Sequence, residues 1–270
     1  MSDTKDSASK LDWTSTDSMR PTQCSVGDLE VELKMQELRG RAQKSGLLQK
    51  YLKIHPIPAV LGPDGRMYLT DHHHMGLALV KLADEWDATD KPAASNPYRI
   101  CCFQIVKDLS GQHDLTMRRF FTKMEEHHLS HPFDGNGRRV EKIPKYLSDL
   151  VDDPYRSLAG LARKAGAYDK VAVPFTEFKW ADYLRDKVDV KLICMEHLAQ
   201  AIQQTVVLAN EPAAASLPGF HGSKPAAELP TLAEIQDRLS KRHGADDAAP
   251  DLPAVSSKKH SIPSAQPASH

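Results

Sequence analysis

The sequence predicts an α+β domain, with a small mixed sheet in its first half and helices in its second half. Extended apolar segments flank the turn Gly62-Pro63-Asp64-Gly65, which indicates a hairpin. Residues 98–106 form a nearly continuous apolar run, which is typical of an inner strand covered on both faces. Helical spacing of apolar residues dominates the later chain. We therefore place the sheet at about residues 19–110 and the helical part at about 111–220.

Composition restricts the class of protein further. The chain has 270 residues, 40% hydrophobic and 26% charged, with a formal net charge of −1. This balance predicts a globular domain and does not favour a strongly basic nucleic-acid binder. No apolar run approaches the roughly 20 residues of a membrane span, and the polar start resembles no secretory signal. The four cysteines form no CxxC pair, so we expect reduced thiols, a cytoplasmic location and no membrane partner.

The N-terminal third is predicted as a tail, a helical stretch and a hairpin. Residues 1–18 are rich in Ser, Asp, Lys and Thr, which predicts a disordered tail. Leucines at helical spacing over residues 28–52 predict one or two helices, interrupted at Gly40 and Gly46. Two short strands then flank the Gly62–Gly65 turn.

The C-terminal two thirds are predicted as mainly helical. Apolar periodicity indicates helices over the segments 115–129, 147–164 (two helices), 175–184 and 191–208. Pro154 suits a first helical position, with Asp153 as its cap. Residues 221–270 are predicted as a largely disordered tail that contains one short amphipathic helix at 232–239.

The strand-to-helix junction at Asp71-His72-His73-His74 is the first candidate site. Asp71 suits a helix N-cap, and the helix is expected to end near Asp87. Free N–H groups and the positive end of the helix dipole suit an anion such as phosphate at this point. Successive side chains on a helix point about 100° apart, so the three histidines cannot converge on one metal ion. A histidine here can donate to an anion or transfer protons; a capped helix with exposed histidines is the alternative.

Six separated motifs occur in order along the chain: Arg20-Pro21-Thr22-Gln23, Gly62-Pro63-Asp64-Gly65, Asp71-His72-His73-His74, Asp153-Pro154-Tyr155-Arg156-Ser157, Phe178-Lys179-Trp180-Ala181-Asp182 and Leu217-Pro218-Gly219-Phe220. Together they resemble the ParB-like nucleases of bacteria, within a superfamily that includes ParB N-terminal domains, sulfiredoxin and a free-serine kinase. The resemblance covers roughly residues 18–220. The resemblance implies a ParB/sulfiredoxin-like mixed sheet with a nucleotide or phosphate pocket where a strand meets a helix.

The helix-start motif departs from the pattern of these relatives. Many of these relatives have a pattern similar to Asp-Gly-His-His-Arg at the helix start. This chain has His72 in place of the Gly and Met75 in place of the Arg. The missing Arg removes a phosphate clamp, and Arg20, Lys34 or Arg156 could replace it. No helix-turn-helix of the partition proteins is evident, and the motif contains no cysteine. A centromere-binding role and sulfiredoxin chemistry are therefore not implied.

The resemblance implies an enzyme that acts on a phosphate ester, either a nuclease or a nucleotide-dependent phosphoryl-transfer enzyme. His73 is expected to act as acid–base or to contact phosphate, and His73→Ala to abolish activity. Asp71 would cap the helix or hold a divalent cation, with Mg²⁺ or Mn²⁺ as cofactor and a nucleotide or nucleic acid as partner. The predicted catalytic residues are His73, Asp71 and His74, and the predicted binding residues are Arg20, Gln23, Lys34, His72 and Arg156.

Two hypotheses from other classes remain open. The first is a non-catalytic nucleotide-sensing or protein-interaction module, which the missing Arg and the neutral net charge favour. The second is a structural protein that has kept only the fold. Turnover separates an enzyme from both, and saturable ligand binding separates the module from the structural protein.

Overall fold

The computed structural model describes residues 10–112 and 114–241. Within these residues the strands are β1 (Lys10–Ser15), β2 (Met19–Arg20), β3 (Ser25–Val26), β4 (Ile57–Leu61), β5 (Met67–Leu69), β6 (Ile100–Asp108) and β7 (Val151–Asp152). The α-helices are α1 (Asp28–Ala42), α2 (Leu47–Ile54), α3 (His73–Asp87), α4 (Met117–Glu126), α5 (Pro154–Lys164), α6 (Thr176–Leu184), α7 (Leu198–Ala209) and α8 (Leu232–Lys241). The chain is thus α+β, as predicted.

Five strands form one mixed sheet in the order β1-β6-β4-β5-β2. The pairs β1/β6 and β4/β5 are antiparallel, whereas β4/β6 and β2/β5 are parallel. The predicted hairpin is confirmed as β4 and β5, and its turn contains Gly65 at φ 74°, a conformation that favours glycine. The apolar run of β6 is confirmed as an inner strand, but the predicted cover on both faces holds only at residues 101–103, because Ile100 and Val106 are exposed. A separate parallel pair joins β3 to β7.

The buried apolar side chains pack in two main cores and one smaller cluster. The first lies between the sheet and the helices α1, α2 and α3. The second lies among α5, α6, α7 and α8, and a smaller cluster lies under α4. Because α1 contacts both α3 and α5, it joins the sheet half to the helical half. The start of α3 therefore lies close to the surface where the two halves meet.

The N-terminal segment differs from the predicted disordered tail. Residues 10–15 form β1, which pairs with β6 along its whole length, from Lys10 opposite Ile105 to Ser15 opposite Ile100. A strand at the edge of a sheet is stabilised by backbone hydrogen bonds to its neighbour, so it tolerates a polar composition that resembles disorder. The prediction for residues 1–9 lies outside the described residues.

The short helix predicted at 232–239 is present as α8 and packs against α7 of the same chain. Ile235 is fully buried in the second core. Residues 221–231 of the predicted tail are described as well: they include the 3₁₀ turn Ala226–Glu228, and Ser223 and Lys224 form hydrogen bonds to Asn210. Residues 242–270 lie outside the described residues. None of the helices in the described ranges combines the length and the apolar character that crossing a bilayer requires.

The segment before Pro154 differs from the prediction of two helices. Only Leu147–Asp149 forms a 3₁₀ turn, and Val151–Asp152 is β7. The backbone there pairs with β3, which competes with helix formation for the same N–H and C=O groups. Asp153 is confirmed as the cap of α5, because its carboxylate accepts the Tyr155 N–H at 3.1 Å, and Pro154 is the first helical residue.

Candidate functional site

The strand-to-helix junction places its cap one residue later than predicted. His72 is the N-cap of α3, with φ 60° and ψ 28°, a left-handed conformation. Asp71 is exposed, and its Oδ1 accepts the His72 N–H at 2.6 Å. The left-handed residue turns the chain into the helix, so the Asp71 carboxylate binds the cap residue and does not cap the first turn itself. This left-handed conformation suits glycine better than histidine.

The backbone conformation at His72 predicts a specific order of stability between two variants. His72→Ala and His72→Gly both remove the imidazole, but only glycine adopts φ 60° without strain. We expect the alanine variant to unfold with a free energy about 1 kcal/mol lower than that of the glycine variant. Urea unfolding measures this difference.

Gln36, exposed within α1, provides the control. There the order should reverse, because glycine costs about 1 kcal/mol relative to alanine inside a helix. An alanine variant at His72 as stable as the glycine variant would show that the left-handed conformation carries no strain.

His73 connects the start of α3 to the segment after β2. Its Nε2 accepts the backbone N–H of Thr22 at 3.1 Å, and the Thr22 hydroxyl donates to the carbonyl oxygen of Leu69 at 2.5 Å. The ring is buried, and this burial lowers the pKa of His73 to about 3. His73 is therefore neutral at pH 7, with its proton on Nδ1. The acid–base role predicted for His73 stays a prediction, and its contacts favour a structural role.

His74 lines a cavity of about 350 Å³ between the two halves of the chain. The cavity is polar on the side of α1, α3 and the end of α5, where Glu30, Lys34, Glu37 and Lys164 join His74. Apolar side chains of α1, α5, α8 and the start of α7 complete the lining, together with the polar Glu196 and Gln236; the apolar residues are Leu33, Leu161, Met195, Leu198, Ala199 and Leu239. The structure thus brings one of the predicted histidines together with two lysines.

Glu30 is the most deeply buried charge at this cavity. Its carboxylate accepts from Arg156 Nη1 at 2.9 Å and from Lys164 Nζ at 3.2 Å, and the residue is 5% exposed. Burial raises the pKa of Glu30, but the charges of Lys164 and Arg156 outweigh burial and lower it to about 2. The carboxylate is therefore ionised at neutral pH and holds two cations at the cavity.

A second carboxylate holds another pair of cations. Glu37 accepts from Lys34 Nζ at 2.5 Å and pairs with Arg41 at 3.0 Å, while Lys34 also donates to the Tyr51 hydroxyl at 2.9 Å. The four cations of the two clusters and the carboxylates of Glu30 and Glu37 sum to a charge of +2. Glu196, which also lines the cavity, reduces the sum to +1.

The surroundings of His74 favour the neutral imidazole. Burial and the positive charges of Lys164 and Lys34 lower the pKa of His74 well below its usual value, although Glu30 opposes this effect. A bound phosphate would reverse the balance, since its negative charge stabilises the imidazolium form. The group is therefore suited to accept a proton when an anionic ester occupies the cavity.

The structure brings together only part of the predicted site. Lys34 lines the cavity with His74, and Arg156 reaches it through Glu30. Arg20 instead donates from Nη1 to the carbonyl oxygens of Asp17 and Met19 and lies over the Tyr146 ring. Gln23 is buried and donates to the carbonyl oxygen of Ser25 at 2.8 Å. In these positions, Arg20 and Gln23 bond to their own segment.

Sequence reasoning missed Glu30 and Lys164. The available signal was Gly160, a glycine inside a predicted helix, which often marks a close approach. A Cβ atom at Gly160 would lie 2.5 Å from Glu30 Oε2, so glycine leaves the room in which the Glu30 carboxylate lies against α5. The sequence could have indicated the contact but not the partner.

A divalent cation does not fit the side chains alone. Among residues 10–112 and 114–241, no group of three His, Cys, Asp or Glu side chains is arranged to hold a metal ion. Both oxygens of Glu30 already accept from cations, which leaves Asp71 as the carboxylate at the start of α3. Mg²⁺ often binds through one or two carboxylates together with substrate phosphates, so the predicted Mg²⁺ or Mn²⁺ would need a phosphate ligand.

Comparisons with known proteins identify the family of the chain. A family model described as "Putative ParB-like nuclease" matches residues 14–186, which is more than half of the chain. The crystal structure of protein Atu1540 from Agrobacterium tumefaciens is similar, with 37% sequence identity and a TM-score of 0.64. The similarity covers 80% of this chain and 99% of that chain. The search of curated proteins gave no match. The chain therefore belongs to the ParB-like nuclease family.

Proposed function

We propose that the chain acts on a phosphate ester in the cavity beside the start of α3, as a nuclease or a nucleotide-dependent phosphoryl-transfer enzyme. One observation supports this most directly. A single cavity places the neutral imidazole of His74 beside the ammonium groups of Lys34 and Lys164. A proton acceptor next to two cations suits attack on a phosphoryl group, because the acceptor can take a proton from the nucleophile while the cations stabilise the developing charge.

Each group has a distinct role in this proposal. Lys34 and Lys164 neutralise the charge that develops on the phosphoryl oxygens. His74 takes the proton from the attacking hydroxyl or water. Glu30 and Glu37 position the two lysines through their ion pairs, and thus act without touching the substrate. Asp71 is not among the residues that line the cavity, so it has no role in this proposal.

A non-catalytic nucleotide-sensing module is the second candidate function. Met75 stands where the pattern of the resembling proteins has Arg. Its side chain is 2% exposed and packs in the first core. The site therefore lacks that clamp at the helix start. Ligand binding without turnover would favour this candidate.

The proposed site is tested by the melting temperature of the whole chain with a panel of nucleotides and short oligonucleotides, with and without Mg²⁺ or Mn²⁺. A ligand at 100 times its dissociation constant stabilises by about 2.7 kcal/mol, which raises the melting temperature by roughly 5–10 °C. Lys164→Gln should lose most of this rise. Lys50→Gln, on the exposed face of α2, should keep it.

The outcomes of this test differ for each hypothesis. A rise that Lys164→Gln removes supports the cavity as the site, and a turnover assay with the same ligand then separates enzyme from sensor. A panel without any rise would contradict both functions. A rise that Lys164→Gln leaves unchanged would place the ligand elsewhere on the chain.

A further inference from the structure

The part of the chain beyond the family match contributes to the candidate site. The match ends at residue 186, before α7 and α8 begin. Met195, Leu198 and Ala199, at and just before the start of α7, nevertheless line the cavity, as do Gln236 and Leu239 of α8. This wall is thus built from residues outside the segment that identifies the family.

α8 is fixed in place by several contacts. Its start is capped reciprocally, because Thr231 N–H donates to Glu234 Oε2 at 2.8 Å and Glu234 N–H donates to Thr231 Oγ1 at 3.3 Å. Ile235 is fully buried in the second core, and Arg238 donates to the carbonyl oxygen of Ala165. Leu239, one turn after Ile235, is half-buried and lines the cavity. The helix therefore presents a defined surface to the ligand.

The two sides of the cavity suit different parts of one molecule. The charged side, with Lys34, His74 and Lys164, suits a phosphate group. The side formed by α8 and the residues at the start of α7 presents Met195, Leu198, Ala199 and Leu239, with the polar groups of Glu196 and Gln236 among them. It suits an uncharged, largely apolar body that carries a few polar groups. A volume of about 350 Å³ is at the lower end of the range for small-molecule sites and is too small for a nucleic-acid duplex.

We propose that α8 is the specificity wall of this site, where Leu239 contacts the non-phosphate body of a phosphate ester no larger than a single nucleotide. The proposal rests on the proposed phosphate site and adds the selection of the ligand. It makes inorganic phosphate and sugar phosphates weak ligands, because they leave the apolar wall without a partner. It also makes α8 a positioning element that recognises substrate without taking part in proton transfer.

The test compares the affinities of three kinds of probe for the full chain: inorganic phosphate, ribose 5-phosphate and the four nucleoside 5′-monophosphates. Isothermal titration calorimetry measures the dissociation constants. We expect the wild type to bind at least one nucleoside monophosphate more tightly than ribose 5-phosphate. Leu239→Ala should weaken that nucleotide by about tenfold or more and change inorganic phosphate by less than twofold.

Two further variants keep the result interpretable. Leu239→Met retains the apolar volume and should restore most of the nucleotide affinity. Leu232→Ala, at an exposed position of the same helix, should leave all affinities unchanged. Lys164→Gln should weaken nucleotide and phosphate together, because it alters the charged side of the cavity.

The outcomes separate this proposal from the one on which it rests. If the wild type binds nucleotides but Leu239→Ala weakens nucleotide and phosphate equally, or neither, the role of α8 is wrong and the phosphate site stands. Equal binding of ribose 5-phosphate and the nucleotides would also overturn the role of α8. If the wild type binds none of the probes, both proposals fail.

Discussion

Glu30→Gln should lower the free energy of unfolding by about 3–5 kcal/mol. The carboxylate is 5% exposed and accepts from Arg156 and Lys164, so its loss removes the negative charge that two cations share at a largely buried site. Removing one partner of a buried ion pair costs this much because the remaining charge stays desolvated. The pKa of Glu30 is lowered from 4.5 to about 2, which corresponds to a stabilisation of the folded chain by about 3 kcal/mol. This value agrees with the expected loss.

The difference in unfolding free energy between wild type and Glu30→Gln should depend on pH, and this dependence identifies the charge of Glu30 as its cause. The carboxylate of Glu30 is ionised in both the folded and the unfolded chain above its unfolded pKa of 4.5, so its full contribution is present there. The contribution decreases as the pH falls through 4.5 toward 2, because the unfolded chain takes up the proton first. Urea unfolding should therefore show a constant difference between wild type and Glu30→Gln above about pH 5.5 and a shrinking one below pH 4.5.

Glu32 provides the control for this variant. It lies on the exposed face of the same helix, where its carboxylate accepts from Gln36 at 3.3 Å. Glu32→Gln should change the free energy of unfolding by less than about 0.5 kcal/mol. A cost at Glu30 that is equally small, or that does not vary with pH, would mean that the two cations are solvated well enough to need no partner.

The parts of the fold that local sequence determines were predictable. The Gly62–Gly65 turn and the apolar run of β6 each carry their signal within about ten residues, and both are confirmed. Asp153 and Pro154 predicted the start of α5 for the same reason, because a cap acts within one turn. The strand β1 was missed, since its stability comes from pairing with β6, about 90 residues later.

The candidate site was predictable only where its residues are close together in the sequence. The motif at residues 71–74 located the start of α3, but the charges that complete the cavity come from α1 and α5. Glu30 and Lys164 are 134 residues apart, and no spacing rule connects them. Helical geometry showed that adjacent histidines point about 100° apart, yet it could not show which one faces the cavity. That choice depends on how the sheet half and the helical half pack together.

His74→Ala should reduce turnover of the ligand that the melting-temperature panel identifies. The expected reduction is about 10²–10⁴-fold, the usual contribution of a general base. The melting temperature of this variant should change little, since the His74 ring forms no hydrogen bond with another residue in the described part of the chain. In the wild type, kcat/KM should rise with pH through an apparent pKa below 6.5, because burial and the two lysines lower the pKa of His74 in the free protein. The profile of kcat should shift to higher pH, because the bound phosphate stabilises the imidazolium form.

His73→Ala is the matched comparison and separates a catalytic histidine from a structural one. Its loss removes the acceptor of the Thr22 N–H and leaves a cavity in the core, which should cost about 2–4 kcal/mol of folding free energy. At a temperature where both variants are folded, we expect His73→Ala to retain far more turnover than His74→Ala and to keep the wild-type pH profile. The opposite order would assign the proton transfer to His73, as the sequence first predicted, and would make His74 a ligand-binding group.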